Sequence, residues 1–81
     1  MIYEFTFFVK NPLSDGDLEE IARSCPDSST GAVDGVWRVD FDREANSLDD
    51  AIGSAAADLR RLGLGILRVE LDVNSIPANA S

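Results

Sequence analysis

Histidine is absent from the 81-residue sequence, and cysteine and lysine each occur once, as Cys25 and Lys10. Without histidine, a Ser-His-Asp or Cys-His catalytic arrangement is impossible within one chain. A zinc site built from several cysteine and histidine ligands is excluded for the same reason. A single cysteine cannot form an internal disulfide, which suits a reducing compartment, and we expect Cys25 to be a small buried hydrophobe.

Basic residues and long hydrophobic runs are also scarce. Seven Lys and Arg residues oppose fifteen Asp and Glu residues, which gives a net charge of −8. This balance argues against direct binding to nucleic acid or to an anionic membrane surface. The N-terminal stretch "MIYEFTFFVK" has no positive leader, Glu4 interrupts it, and no segment is long enough to span a membrane. We therefore predict a cytoplasmic protein.

The residues that are present form six patterned segments in the order β-α-β-β-α-β. These are strand 2–9, helix 13–25, strand 28–33, strand 36–41, helix 47–63 and strand 66–73. The Asp34-Gly35 pair is a typical two-residue hairpin turn between the second and third strands. The order predicts a ferredoxin-like α+β sandwich, with a four-stranded antiparallel or mixed sheet and two helices on one face. We expect one domain over residues 1–73 and a flexible tail over 74–81.

Alternation within the strands predicts which side chains form the core. On the helix-facing side it places Tyr3, Phe5, Phe7, Val9, Trp37, Val39, Phe41, Leu67, Val69, Leu71 and Val73. The apolar stripes of the helices complete this core with Leu18, Ile21, Ala22, Cys25, Leu48, Ile52, Ala55, Leu59 and Leu62. Ser14 and Ser47 fit the helix N-caps. Gly63 fits the position just after the second helix.

The opposite side of the sheet, which we call the open face, is the candidate functional surface. It carries Glu4, Thr6, Phe8, Arg38, Asp40, Arg68 and Glu70. Phe8 follows Phe7 directly and must point away from the core in a regular strand, where we expect Ile2, Val36 and Ile66 to join it. A half-apolar open face predicts burial against another subunit or a partner protein. Coverage by the tail, or a strand bulge, is the alternative.

The stretch "VDFDREANSLDDAI" (39–52) is notably acidic. Its carboxylates are Asp40, Asp42, Glu44, Asp49 and Asp50. The last two fall in the first turn of the second helix, where the helix dipole favours negative charge. The first three could supply oxygen ligands to Mg²⁺ or Ca²⁺, although no EF-hand-like spacing accompanies them. A solvated or paired surface is the simpler interpretation.

The segment "DGVWRVDFDREANSLDDAIGSAAADLRRLGLGILRVELD" (34–72) resembles a group of small, uncharacterised bacterial proteins. Their shared features are a "DFDREA" motif, a helix that begins with "SL", and a strand similar to "RVELD". The resemblance implies a ferredoxin-like domain, which in that group is often followed by a DNA-binding helix-turn-helix. After Asp72 this sequence continues only with "VNSIPANAS", so no recognition helix is expected. The resemblance implies no catalytic residue.

These observations favour a domain that is not an enzyme, requires no cofactor and contacts other proteins. The first hypothesis is self-association or partner binding through the open face, as a homodimer or as the accessory or sensing part of a bacterial regulator. The second is a stand-alone acidic module that binds a basic protein, as an antitoxin or a DNA mimic does. The third is a small-ligand or divalent-cation domain centred on Asp40, Asp42 and Glu44.

Overall fold

The elements of the chain follow the predicted order in a computed structural model that describes residues 1–10 and 12–71. They are β1 (Ile2–Val9), α1 (Asp15–Ser24), β2 (Ser28–Val33), β3 (Val36–Glu44), α2 (Leu48–Arg61) and β4 (Ile66–Leu71). The element order and the single four-stranded sheet confirm the ferredoxin-like fold class. The predictions for Val73 and for the tail 74–81 lie outside the described residues.

The sheet has the strand order β2-β3-β1-β4, and all three neighbouring pairs are antiparallel. β1 and β3 therefore form its centre, and β2 and β4 form the edges of the described sheet. Asp34 and Gly35 both have positive φ angles, of 53° and 77°. Two consecutive left-handed residues are what a type I′ hairpin turn requires, so the predicted turn between β2 and β3 is confirmed.

Side-chain and backbone caps mark the ends of both helices. Ser14 Oγ accepts a 3.1 Å hydrogen bond from the Asp17 N–H, and the Asp17 carboxylate accepts one of 3.0 Å from the Ser14 N–H. Ser47 Oγ accepts a 3.1 Å bond from the N–H of Asp50 at the start of α2. Gly63, with φ of 82°, follows the last turn of α2, as predicted. These contacts satisfy backbone groups that a helix leaves without internal partners.

The core lies between one face of the sheet and the two helices. Its strand residues are Tyr3, Phe5, Phe7, Val9, Val39 and Phe41. Its helix and loop residues are Leu13, Ile21, Cys25, Ala51, Ala55, Ala56 and Leu59. The rings of Phe5, Phe7 and Phe41 pack with centroids 5.6–5.7 Å apart. Because one cluster contains residues of both helices, both helices cover the same face.

Helix and strand positions that the sequence placed in the core are not all buried. Ala22, predicted in the stripe of α1, is exposed. In β4 no residue is buried: Leu67, Val69 and Leu71 are 57%, 37% and 38% exposed. The side chains of an edge strand meet neighbours on one side only, so alternation overstates their burial.

A bulge in β4 also changes the side of the sheet on which Ile66 lies. Phe8 pairs with Arg68 but Val9 pairs with Ile66, so Leu67 is an extra residue in β4. The insertion shifts the phase of the strand, and Ile66 packs against the core instead of joining the open face. The sequence prediction for Ile66 was therefore wrong.

Candidate functional site

The strand register brings the predicted open-face residues together on the side of the sheet away from the helices. Across the strands, successive rows contain Arg38, Phe8 and Arg68; Asp40, Thr6 and Glu70; Asp42 and Glu4; and Glu44 and Ile2. We call the first of these the arginine row. The set formed by Glu4, Asp42 and Glu44 is called the acidic end. Charge therefore changes sign along the strand direction of one continuous surface.

Contacts within the open face hold the arginine row in place. The Arg68 guanidinium lies 4.0 Å from the centre of the Phe8 ring and donates hydrogen bonds of 3.1 and 3.2 Å to Glu70. Arg38 Nε lies 3.7 Å from Asp40 Oδ2, which is close enough for an ion pair but too long for a hydrogen bond. The Thr6 hydroxyl donates to the same Asp40 carboxylate. Both arginines are thus partly neutralised by carboxylates on their own strands.

Phe8 is less available to a partner than the sequence suggested. The guanidinium of Arg68 stacks over its ring and leaves the side chain only partly exposed. Ile2 and Val36 are exposed but lie toward opposite ends of the face, and Ile66 lies on the other side of the sheet. The open face is therefore mainly polar and carries no continuous apolar patch among the described residues.

The acidic end, unlike the arginine row, contains only carboxylate side chains. Within residues 1–10 and 12–71, none of Glu4, Asp42 and Glu44 forms an ion pair with a Lys or Arg side chain. A shallow depression of about 420 Å³ runs from this end to the next row, where Asp40 and Glu70 line it. A groove bordered by carboxylates attracts cationic groups.

The predicted divalent-cation site receives no support from the geometry. Asp40, Asp42 and Glu44 alternate along one extended strand, which spaces their carboxylates apart instead of converging them. In the described part of the chain, no group of three or more His, Cys, Asp or Glu side chains is arranged to hold a metal ion. Asp49 and Asp50 lie in the first turn of α2, as expected from the helix dipole.

Arg43 forms the most buried ion-pair network in the described structure, although it was not among the residues predicted from the sequence to form a site. Its Nε and Nη2 donate to the Asp27 carboxylate at 2.8 and 3.1 Å. Its Nη1 donates to Asp58 at 2.9 Å and to Ser54 Oγ at 3.1 Å. The predicted third strand stopped at Phe41, whereas β3 continues to Glu44. Extending the alternation by two residues would have placed Arg43 on the helix-facing side.

Three groups in and beside this network have shifted pKa values: Asp27, Cys25 and Arg43, whose pKa is raised by its hydrogen bonds to Asp27. Hydrogen bonds from Arg43 lower the pKa of Asp27, since they favour its charged form. Burial, reinforced by the nearby Asp58 carboxylate, raises the pKa of the Cys25 thiol. Cys25 is fully buried at the end of α1, which confirms the expected structural role of a small hydrophobe. A thiol with a raised pKa is a poor nucleophile at neutral pH.

Comparisons of this chain with protein-family models, with curated proteins and with solved structures find no match. The resemblance read from the "DFDREA" segment therefore stays a prediction. None of the helices in the described part of the chain combines the length and the apolar character needed to cross a membrane.

Proposed function

We propose that the chain is a non-catalytic docking domain whose open face binds a basic segment of a partner protein. The observation that supports this most directly is the acidic end, where Glu4, Asp42 and Glu44 lie without ion-pair partners among the described side chains. Like charges on a rigid sheet repel one another, and cations from a partner relieve that repulsion. Binding of this kind is salt-sensitive.

The arginine row would orient the partner. A basic segment lying along the depression places its cations near Asp42 and Glu4, but it meets Arg38 and Arg68 at the other end of the face. Reversing the segment would bring like charges together, which disfavours that orientation. The open face would therefore bind such a segment in one orientation only. The basic residues would lie at the acidic end, and neutral or acidic residues would lie at the arginine row.

Titration with a short Lys-rich peptide, followed by backbone amide chemical shifts, tests this proposal. We expect shifts on β1 and β3, and an affinity that falls as salt is added. Asp42→Lys should weaken binding about tenfold at low salt, because it removes an attractive charge and introduces a repulsive one. Glu19→Lys, on an exposed position of α1, makes the same net-charge change away from the open face and is the matched control.

Equal losses in the Asp42→Lys and Glu19→Lys variants would show that only net charge matters and would refute the open-face site. Shifts confined to the helices would refute it as well. Both variants lie at exposed positions, so far-UV circular dichroism should report an unchanged fold.

Self-association through the open face is a second candidate, favoured by the arginine row lying next to a row that carries Asp40 and Glu70. A two-fold axis in the interface, perpendicular to the strands, brings the arginine row of one copy against Asp40 and Glu70 of the other. An accessory domain of a regulator could hold a dimer in this way. Phe8→Glu should then reduce the molar mass measured by light scattering from dimer to monomer. An unchanged mass would place the contact elsewhere.

A further inference from the structure

The outer edge of β4 combines features that edge strands usually avoid. Leu67, Val69 and Leu71 are all exposed, and no other described strand pairs with that edge. By contrast, β2, the edge strand on the other side, has the sequence SSTGAV, in which Val33 is the one large apolar side chain. Native edge strands are generally short, charged or covered, because free backbone N–H and C=O groups invite another strand to pair. Arg68, Glu70 and the bulge at Leu67 limit pairing with most strands, but three exposed apolar side chains beside unpaired backbone groups leave this edge open to a strand of complementary charge.

We infer that β4 pairs antiparallel with β4 of a second copy, across a two-fold axis that passes through Val69. In this register Arg68 lies opposite the partner's Glu70, and Glu70 lies opposite the partner's Arg68. Val69 lies beside the partner's Val69. Opposite charges directly across an antiparallel pair are favourable, and like charges are unfavourable.

Charge selects this register over its neighbours. Sliding one strand by two residues brings Arg68 against the partner's Arg68, or Glu70 against the partner's Glu70. Sliding by one residue places side chains of opposite faces in the same pair, which the pleat forbids. Only the register centred on Val69 makes both cross-strand pairs attractive. The Arg68 to Glu70 contact of 3.1 Å within one chain then becomes part of a four-charge cluster.

Other occupants of the β4 edge lack the complementary charges. β2 carries no charged residue, so pairing of β4 with β2 of another copy would leave Arg68 and Glu70 without cross-strand partners. Residues 72–81 contain no Lys or Arg side chain, so they offer no cation to Glu70. A second β4 supplies both charges and a matching apolar strand.

This contact would join two sheets into one of eight strands. For antiparallel edges the two-fold axis is normal to the sheet, so both helix layers lie on one side and both open faces on the other. The dimer would present two acidic ends for basic segments. The register uses Arg68 and Glu70 of the open face, but its axis lies at Val69, which shares the helix-facing side with Phe7, so a substitution at Val69 tests the contact without altering the open face.

Sedimentation equilibrium of the full chain over a wide concentration range tests the inference. We expect the mass to rise from 8.7 kDa toward twice that value and to stop there. Val69→Lys places two like charges at the axis and should raise the dissociation constant at least about tenfold. Val33→Lys makes the same change at an exposed valine of β2 and should leave the constant unchanged.

A charge exchange identifies the partner strand. Arg68→Glu and Glu70→Arg should each weaken self-association, because each opposes like charges across the axis. When the two variants are mixed, both cross-strand pairs again join one carboxylate to one guanidinium, so a mixed dimer should form. Its formation can be followed by native mass spectrometry. Mixing that yields no such dimer would contradict the register centred on Val69.

A monomer at every concentration would overturn the inference, and it would assign the β4 edge to the chain's own residues 72–81 or leave it free. Masses that keep growing beyond two copies would overturn it in favour of pairing between β4 and β2. A dimer that is insensitive to Val69→Lys but lost in Phe8→Glu would overturn it in favour of the open face. Peptide binding at the open face is measured separately, so either proposal can fail alone.

Discussion

Arg43 connects three parts of the fold through its side chain. It extends from β3 to Asp27 in the connection between α1 and β2, and to Asp58 on α2. Its guanidinium also lies 5.0 Å from the centre of the Phe41 ring. The planar guanidinium donates in several directions at once, which a lysine ammonium cannot do with the same geometry. We interpret this network as a structural clamp, because all of its contacts are internal.

Asp27 should make folding stability depend on acid pH. Its pKa is lowered in the folded state, so its contribution is present above the unfolded value near 4 and is lost as pH falls through the folded value. At pH 7, Asp27→Asn should lower the free energy of unfolding by about 1–2 kcal/mol. As pH falls below the unfolded value, the difference from the native chain should narrow. Urea unfolding followed by Trp37 fluorescence measures both values.

Asp34→Asn is the control for that prediction. Asp34 is an exposed turn residue with positive φ, a conformation that Asn adopts readily, and it forms no ion pair with a described side chain. Its substitution should leave the acid dependence unchanged. A stability gap for Asp27→Asn that stays constant from neutral to acid pH would contradict the proposed ion pair.

Within the secondary-structure elements, the helix ends are determined by residues close in sequence, whereas strand irregularities and strand lengths are determined by pairing with neighbouring strands. The ends of α1 and α2 depend on residues within one helical turn, so Ser14, Ser47 and Gly63 could be assigned from the sequence alone. The bulge at Leu67 depends on how β4 pairs with β1, which alternation within a single strand does not reveal. β3 likewise continues for three residues beyond Phe41 because β1 pairs with it there.

Each of the two N-cap serines should contribute measurably to stability. Ser47→Ala removes one hydrogen bond and should lower stability by about 1 kcal/mol, which corresponds to about 4–8 °C in melting temperature for a chain of this size. Ser14→Ala removes the side-chain half of a reciprocal pair with Asp17, so we expect at least an equal loss. Thermal unfolding by circular dichroism measures both, with the exposed Ser24→Ala as the control. Unchanged melting temperatures in both variants would show that these N-cap hydrogen bonds do not stabilise the fold.

For the whole molecule, one core connects both helices to the two central strands. The buried residues form a single cluster, with Phe7 at 2% exposure in contact with Phe5 and Phe41. A chain of this size with one core unfolds as one unit. Damage to the cluster should therefore destabilise all elements together.

Substitutions of Phe7 and Phe8 test the single-core arrangement, because one ring is buried and the adjacent one is partly exposed. Phe7→Ala should lower the free energy of unfolding by about 3–5 kcal/mol because it opens a cavity in the core. Phe8→Ala removes a partly exposed ring and its contact with Arg68, so a loss of only about 1–2 kcal/mol is expected. Fluorescence and circular dichroism transitions should coincide in both variants. Separate transitions, or equal losses, would contradict the single-core arrangement.

Much of the open face could be predicted, because strict alternation in β1 and β3 determines which side chains share a face. The rows could not, because they depend on the register between strands. It is the register that places Arg38 and Arg68 on either side of Phe8, away from the acidic end, whose carboxylates form no ion pair with a described Lys or Arg side chain. The covering of Phe8 by Arg68 also follows from the register, and it makes the face more polar than its residue types suggested.

The sequence by itself determined the order of the elements, the hairpin at Asp34-Gly35, the helix ends and the division of β1 and β3 into two faces. Each of these depends on residues close together in the chain, through φ angles, capping bonds or side-chain alternation. Only the tertiary structure decided the bulge at Leu67, the exposure of β4, the Arg43 network and the separation of charge along the open face. Those features depend on contacts between residues that are distant in sequence, so local pattern does not contain them.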